Sequence, residues 1–162
     1  MPARAYFGPP RDGFVSGGAH ISVYLVPVYR GRLVVFDVQA REARGRWLPW
    51  DILDFGANPY EAASALADEW CGGALSDLSL VDVMSFPVEG GGWELTLIFR
   101  AELDEGPRAD ETRTPFVFAP GKVDAIGPFD PVDLLRWIDG PSAAPARPHV
   151  QKPPSTQAGL LF

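Results

Sequence analysis

Four acidic side chains in two short stretches of the chain could bind a divalent cation. Asp51 and Asp54 follow a tryptophan-rich stretch, and Asp68 and Glu69 stand side by side near the end of a predicted helix. Mg²⁺ takes hard oxygen ligands in near-octahedral geometry, so these carboxylates would have to converge to hold it. Successive helical residues point about 100° apart, so Asp68 and Glu69 face different directions. Asp also forms turns and caps, and this alternative stays open for Asp51 and Asp54.

Three aromatic residues, Trp47, Trp50 and Phe55, surround the two aspartates. Large aromatic rings can stack on a nucleobase or a sugar, which would make these residues part of a ligand site. Packing of a loop against the core explains the same residues equally well. Both interpretations stay open.

The helix that carries Asp68 and Glu69 is predicted over Pro59–Cys71. Asn58 is a good N-cap, Pro59 suits the first helical position, and Glu61 places a negative charge in the first turn. Gly72 and Gly73 supply the stop signal. The apolar residues recur at helical spacing and include small alanines that allow close approach to a sheet: Ala62, Ala63, Leu66, Ala67 and Trp70.

Around this helix the sequence predicts a mixed sheet. A second helix is predicted over residues 131–138, capped by Asp130 and with Leu134, Leu135 and Ile138 as its apolar face. Charged residues 40–46 and 104–114 indicate loops. Because strands and helices alternate, helices should cover both faces of the sheet. The predicted strands span residues 21–29, 33–38, 78–86, 93–103 and 116–118.

Composition limits the classes of function. The chain has 162 residues and a formal net charge of −7, which disfavours binding to nucleic-acid backbones. The lone Cys71 excludes an internal disulfide and a zinc site made of thiolates. We find neither a signal-peptide pattern nor an apolar run long enough to span a bilayer, and expect a cytoplasmic protein without membrane contact. Proline and glycine cluster at both ends, which predicts an N-terminal extension at 1–17, a folded domain at 18–139 and a tail at 140–162.

The segment from Trp47 to Gly56 and the helix after it resemble a Nudix box. That family's pattern has a Leu-Pro-Gly-Gly turn, an acidic residue, a Gly-Glu pair and a helix with Arg-Glu-x-x-Glu-Glu-x-Gly. Leu48-Pro49 and Gly56 match, and Asp54 stands where the acidic residue of the turn is usual. Trp50 and Asp51 replace the two glycines. The resemblance extends over roughly residues 18–139 and implies the Nudix α/β/α sandwich, with a mixed sheet between two helices.

The catalytic part of the pattern is mostly absent. Ala57 replaces the Glu of the Gly-Glu pair, while Ala65 and Leu66 stand at the Arg and first Glu of the helix. Glu69 retains one Glu, and Trp70 replaces the next. The resemblance implies Mg²⁺ or Mn²⁺ held by clustered carboxylates, which activate water for cleavage of a nucleoside diphosphate-linked compound. Glu69 is then the candidate catalytic and metal-binding residue with Asp68 beside it, and such a site would hold a metal only weakly.

Two classes of function follow. One is a Nudix-like module with an impaired site that binds a nucleotide or a nucleoside diphosphate-linked ligand, a protein partner, or both. The other is an active hydrolase with a non-standard metal site. Trp47, Trp50, Asp51 and Asp54 are the candidate ligand-binding residues, joined by Glu102. Some family members use a carboxylate from the region of Glu102, but a solvated acidic loop is the alternative there.

The Pro-rich tail ends in an apolar tip. Gln157 followed by Leu160, Leu161 and Phe162 loosely resembles short motifs that dock on DNA sliding clamps, so these four residues are candidates for binding a protein partner. Two alternatives remain open: the tip folds back onto its own domain, or it packs on another copy of the chain.

Overall fold

The computed structural model describes residues 6–7, 19–40, 43–54, 56–88 and 92–141. They form eight strands, two helices and one π-helical turn. In chain order these are β1 Tyr6–Phe7, β2 Ala19–Tyr29, β3 Arg32–Ala40, β4 Ala43–Trp47, β5 Trp50–Ile52, α1 Pro59–Leu66, the π turn Ala67–Cys71, β6 Leu75–Val88, β7 Gly92–Leu103, β8 Arg113–Val117 and α2 Pro131–Ile138.

One mixed sheet contains all eight strands. The main path runs β4-β3-β2-β7-β6, with β1 and β5 also paired to β2 and β8 paired to β3. β2 and β7 run parallel from Ala19–Trp93 to Val28–Glu102, and the other pairs are antiparallel. Residues Leu33–Phe36 of β3 are fully buried, as its continuous apolar sequence predicts.

Two cores lie on opposite faces of the sheet. On one face α1 and the π turn pack on alternate residues of the central strands, including Val23, Leu25 and Phe99. On the other face α2 packs through Leu134 and Trp137, with Phe129 from the preceding loop. The predicted α/β/α sandwich is therefore confirmed. Both helices are eight residues long, so within the described part of the chain neither is long enough to cross a bilayer.

The first helix begins as predicted and ends differently. The Asn58 side chain accepts the backbone N–H of Tyr60, and Pro59 starts the helix. From Ala67 onward the backbone adopts π geometry, and the N–H of Gly72 donates to the carbonyl of Ala67 at 3.2 Å. Gly72 closes the turn at φ 69°, a conformation that favours glycine. The predicted extent Pro59–Cys71 is right, but the change to π geometry was not predicted.

Four short strands differ from the sequence expectation. β1 lies in the predicted N-terminal extension and pairs with β2, and β8 begins at Arg113, inside the predicted loop 104–114. Residues 40–46 were predicted as a loop because they are charged, yet β4 pairs with β3 from Phe36–Trp47 to Ala40–Ala43. β4 ends the main path of the sheet, where charged side chains are tolerated because one side of the strand faces water. β5 was also not predicted; its three residues pair with Ser22–Tyr24 of β2.

A buried carboxylate attaches α2 to the sheet. Asp82 of β6 accepts hydrogen bonds from Arg136 Nη2 at 2.6 Å and from Trp137 Nε1 at 3.0 Å. Asp82 is buried, whereas Arg136 retains partial contact with solvent and also pairs with Asp133 at 2.9 Å. Because the indole of Trp137 is buried, its N–H depends on this acceptor.

Replacing Asp82 should therefore loosen α2. We expect Asp82→Ala to lower the free energy of unfolding by about 2 kcal/mol, since a buried donor without its acceptor costs about 1–3 kcal/mol. Urea denaturation followed by tryptophan fluorescence measures the change. Asp124→Ala, at an exposed position in the loop before α2, should leave stability nearly unchanged. Equal stability of the two variants would contradict the anchoring role of Asp82.

Cys71 lies in the core beneath the end of α1. It is 1% exposed, and burial raises the pKa of its thiol to about 12. Since the thiolate is the reactive species, the native thiol should be nearly inert to a thiol reagent at pH 8. We expect full reaction only after unfolding in denaturant, measured by absorbance with an aromatic disulfide reagent. Rapid stoichiometric labelling of the native protein would show that the thiol is accessible.

Candidate functional site

A cleft of about 230 Å³ lies between α1 and β5. Four of its lining residues are carboxylates: Asp51, Asp54, Glu61 and Glu69. Among the residues that the structure describes, no lysine, arginine or histidine lines it. We call it the acidic cleft. The remaining lining residues are mostly apolar: Val23, Ile52, Leu53, Ala57, Asn58, Ala62, Ala65 and Leu66.

β5 and the turn after it position the two aspartates. Pairing with β2 fixes β5, so Asp51 is exposed between two half-buried neighbours. Its carboxylate accepts the N–H of Ile52 at 2.7 Å. The carbonyl of Asp54 accepts the N–H of Ala57 at 3.0 Å and closes the turn that leads into α1. The turn-forming role that the sequence allowed is thus observed, and the same backbone places both carboxylates on the cleft.

Glu69 is engaged by an arginine from β8. Arg113 Nη2 donates to Glu69 Oε1 at 2.7 Å, and Nη1 donates to the carbonyl oxygen of Glu69 at 3.3 Å. Asp110 lies on the other side of the same guanidinium, 3.5 Å from Nη1. The pKa of Asp110 is lowered, chiefly because its carboxylate accepts the backbone N–H of Thr112. Arg113 is therefore held between two acidic side chains.

Trp70 lies against this arginine. Its ring is buried and meets Phe36 edge-on, with ring centroids 5.6 Å apart. The Arg113 guanidinium lies over the indole, 4.2 Å from the ring centroid, which is a favourable cation–π distance. An indole thus belongs to the core where the Nudix pattern has a metal-binding Glu.

These donors do not fit the usual multi-carboxylate magnesium site. In residues 6–7, 19–40, 43–54, 56–88 and 92–141, no three His, Cys, Asp or Glu side chains are grouped so that they could hold a metal ion. Glu69 already has a cationic partner, and Trp70 offers no oxygen. Asp51, Asp54 and Glu61 line the same cleft without converging with Glu69 on one point.

Two of the predicted acidic residues lie elsewhere. Asp68 is exposed and does not line the acidic cleft. Glu102 pairs with Arg100 at 2.8 Å, and Arg100 in turn donates to the carbonyl of Ile138 at the end of α2. Glu102 therefore lies on the α2 face of the sheet, opposite the acidic cleft.

The two predicted tryptophans contact each other in the domain's packing. Trp50 stacks on Tyr24 with centroids 6.0 Å apart, and Trp47 lies 6.4 Å from Trp50. Both are half-buried, and neither lines the acidic cleft. Phe55 and the candidate partner-binding residues of the tail lie outside the described residues: Gln157, Leu160, Leu161 and Phe162.

Sequence reasoning missed two residues of this site. The sequence analysis credits Glu61 only with a negative charge in the first helical turn, although its position two turns before Glu69 on one helix was a signal that both could face the cleft. Arg113 is 44 residues from Glu69 and ends an acidic loop, so nothing local in the sequence links them.

Comparison with solved structures places this architecture among known folds. A MutT NUDIX hydrolase from Burkholderia pseudomallei aligns with a TM-score of 0.58 and 20% identity, over 74% of this chain and 98% of that one. A NUDIX hydrolase from Nitrosomonas europaea aligns with a TM-score of 0.59 and 17% identity, over 74% of this chain and 70% of that one. A NUDIX-family hydrolase from Clostridium perfringens aligns with a TM-score of 0.56 and 12% identity, over 74% of this chain and 96% of that one.

These likenesses show that the chain has the Nudix fold. Two other matched hydrolases are longer, and this chain spans 56% and 61% of their length. No protein-family profile matches the sequence. No curated protein matches it either. At these sequence identities the comparison shows the fold alone, and the chemistry depends on the residues of the site.

The Arg113–Glu69 pair should weaken cation binding in the cleft. We expect Arg113→Gln to raise the affinity for Mn²⁺ about 5-fold, since a unit charge at about 4 Å is worth about 1 kcal/mol in water-like surroundings. Titration followed by the Mn²⁺ paramagnetic resonance signal gives the affinity. Arg108→Gln is the matched control, because Arg108 pairs with Glu105 outside the cleft. An unchanged or weaker affinity in Arg113→Gln would count against the blocking role of Arg113.

Proposed function

We propose that this chain is a Nudix-fold binding protein for a nucleoside diphosphate-linked ligand, with a catalytic site too altered for ordinary magnesium-dependent hydrolysis. The observation that carries the proposal is the ion pair between Arg113 and Glu69 at 2.7 Å. It engages the one helical Glu that the Nudix pattern would assign to the metal.

The surroundings of the pair support an impaired site. Glu69 has 58% of its side chain exposed and Arg113 has 19%, so the pair lies at a boundary where its strength is modest. The stack of Arg113 on Trp70 and its contact with Asp110 fix the guanidinium from two further sides. A metal ion at Glu69 would have to displace this guanidinium or share the carboxylate with it.

The ligand class follows from the resemblance of the Trp47–Gly56 segment to a Nudix box together with the fold. The acidic cleft is lined by β5, the turn after it and α1, the elements that carry this resemblance. A diphosphate is anionic, so four carboxylates would repel it unless a cation entered with it. A weakly held Mg²⁺ or Mn²⁺ brought by the ligand satisfies this condition.

The second candidate function is hydrolysis with a non-standard metal site. The observation in its favour is that Asp51, Asp54, Glu61 and Glu69 all line one cleft. A rearrangement that released Glu69 from Arg113 would leave these carboxylates available to a cation. The two candidates agree on the ligand class and differ in turnover.

An assay with a matched pair of variants separates them. Cleavage of the diphosphate link is measured as nucleoside monophosphate formed, by chromatography, over a panel of nucleotides and nucleotide sugars with Mg²⁺ or Mn²⁺, for the unmodified protein, Glu69→Gln and Asp68→Asn. Asp68→Asn removes the same charge from the neighbouring residue outside the cleft. We expect no turnover by any of the three, alongside saturable binding of at least one panel member by calorimetry.

Any turnover by the unmodified protein would overturn the binding proposal. Turnover that Glu69→Gln abolishes and Asp68→Asn retains would establish the hydrolase and overturn the binding proposal. Absence of binding by every nucleotide and nucleotide sugar, with either metal, would overturn the ligand class.

A further inference from the structure

An apolar groove runs beside α2, on the face opposite the acidic cleft. Two adjoining hollows of about 320 and 520 Å³ share Ala119, Gly121, Val123 and Leu135. We call them together the α2 groove. Its apolar lining comes from β3, β8, the loop after β8 and α2: Leu33, Phe116, Phe118, Val123, Leu135 and Ile138.

The apolar surface of α2 is wider than its core contact requires. Leu134 and Trp137 are buried against the sheet, whereas Leu135 is 36% exposed and lines the groove. Val132, one turn before Leu135, is 74% exposed. Of these two, Leu135 offers the groove an apolar side chain that an apolar partner would cover.

We propose that the α2 groove binds this chain's own segment Leu160–Phe162. Ile138 and Asp139, the last residues of α2 and its cap, line the groove. The described part of the chain ends at Pro141, two residues after Asp139. The segment after that point, residues 142–162, carries its only run of three large apolar residues at 160–162.

The tether between the rim and the tip is long enough and favours this occupant. A Pro-rich chain extends by about 3.1 Å per residue, so residues 142–159 can span the groove with slack. Attachment to the same molecule raises the effective concentration of a segment at a site that its tether can reach. A free partner would need high affinity or abundance to displace it.

Charge does not oppose the tail as occupant. Residues 142–162 contain two basic residues, Arg147 and Lys152, and none of the chain's 21 acidic ones. All of the negative charge therefore precedes the tail. The groove's rim includes Asp124 and Asp139 as well as Arg32 and Lys122, so it does not repel a weakly basic segment.

The test uses the full-length chain with a spin label near the tip. Ala158→Cys introduces an accessible thiol, while the buried Cys71 should not react. Methyl NMR spectra are compared with the nitroxide oxidised and reduced. We expect the methyl signals of Leu135 and Val123 to lose most of their intensity, and those of Leu80 and Val83 on β6 to retain theirs. The same label on a Leu160→Ser/Phe162→Ser variant should no longer broaden the groove signals.

Other results would overturn the proposal. Sharp groove signals in the labelled protein would show that the tip does not occupy the groove. Equal broadening in the Leu160→Ser/Phe162→Ser variant would show that the apolar tip does not direct the contact. Broadening in a mixture of spin-labelled, NMR-silent protein with isotope-labelled protein lacking the spin label would assign the contact to a second copy.

Discussion

Burial of Trp70 constrains how the end of α1 is built. The indole fills the space against Phe36, so the helix must present residue 70 to the core. The π turn buries Trp70 together with Cys71 and leaves Asp68 and Glu69 exposed. Glu69 then meets Arg113, whose guanidinium also covers the exposed side of the indole. Trp70 thus contacts both the core residue Phe36 and Arg113, the charge partner of the candidate catalytic residue.

Most of the scaffold could be predicted because its signals are local. The run of buried apolar residues in β3 and the caps Asn58 and Asp130 act within a few residues of where they stand in the sequence. β4 was missed because its charged residues look like a loop, and only pairing with β3 makes them a strand. The π turn was missed because the apolar spacing of Leu66, Ala67 and Trp70 fits an α-helix equally well.

The site was harder to predict than the fold because its interactions join distant parts of the chain. Asp51, Asp54 and Glu69 are close in the box segment and line one cleft, as their candidate roles required. Glu102 lies on the opposite face, since β7 alternates its side chains between the two cores. Arg113 approaches Glu69 through the pairing of β8 with β3, and a sequence alone does not reveal that pairing.

Charge balance limits what the acidic cleft can bind under either proposed function. One of its four carboxylates, Glu69, pairs with Arg113, and Arg113 also pairs with Asp110. The remaining negative charge repels a diphosphate, so phosphate binding here must be coupled to a cation that enters from solvent. If Arg113 remains in place, the entering cation meets Asp51, Asp54 and Glu61 but not a fully available Glu69. Ligand binding in the cleft therefore needs only charge compensation. Hydrolysis would also need metal ligands fixed close together around the reacting phosphate.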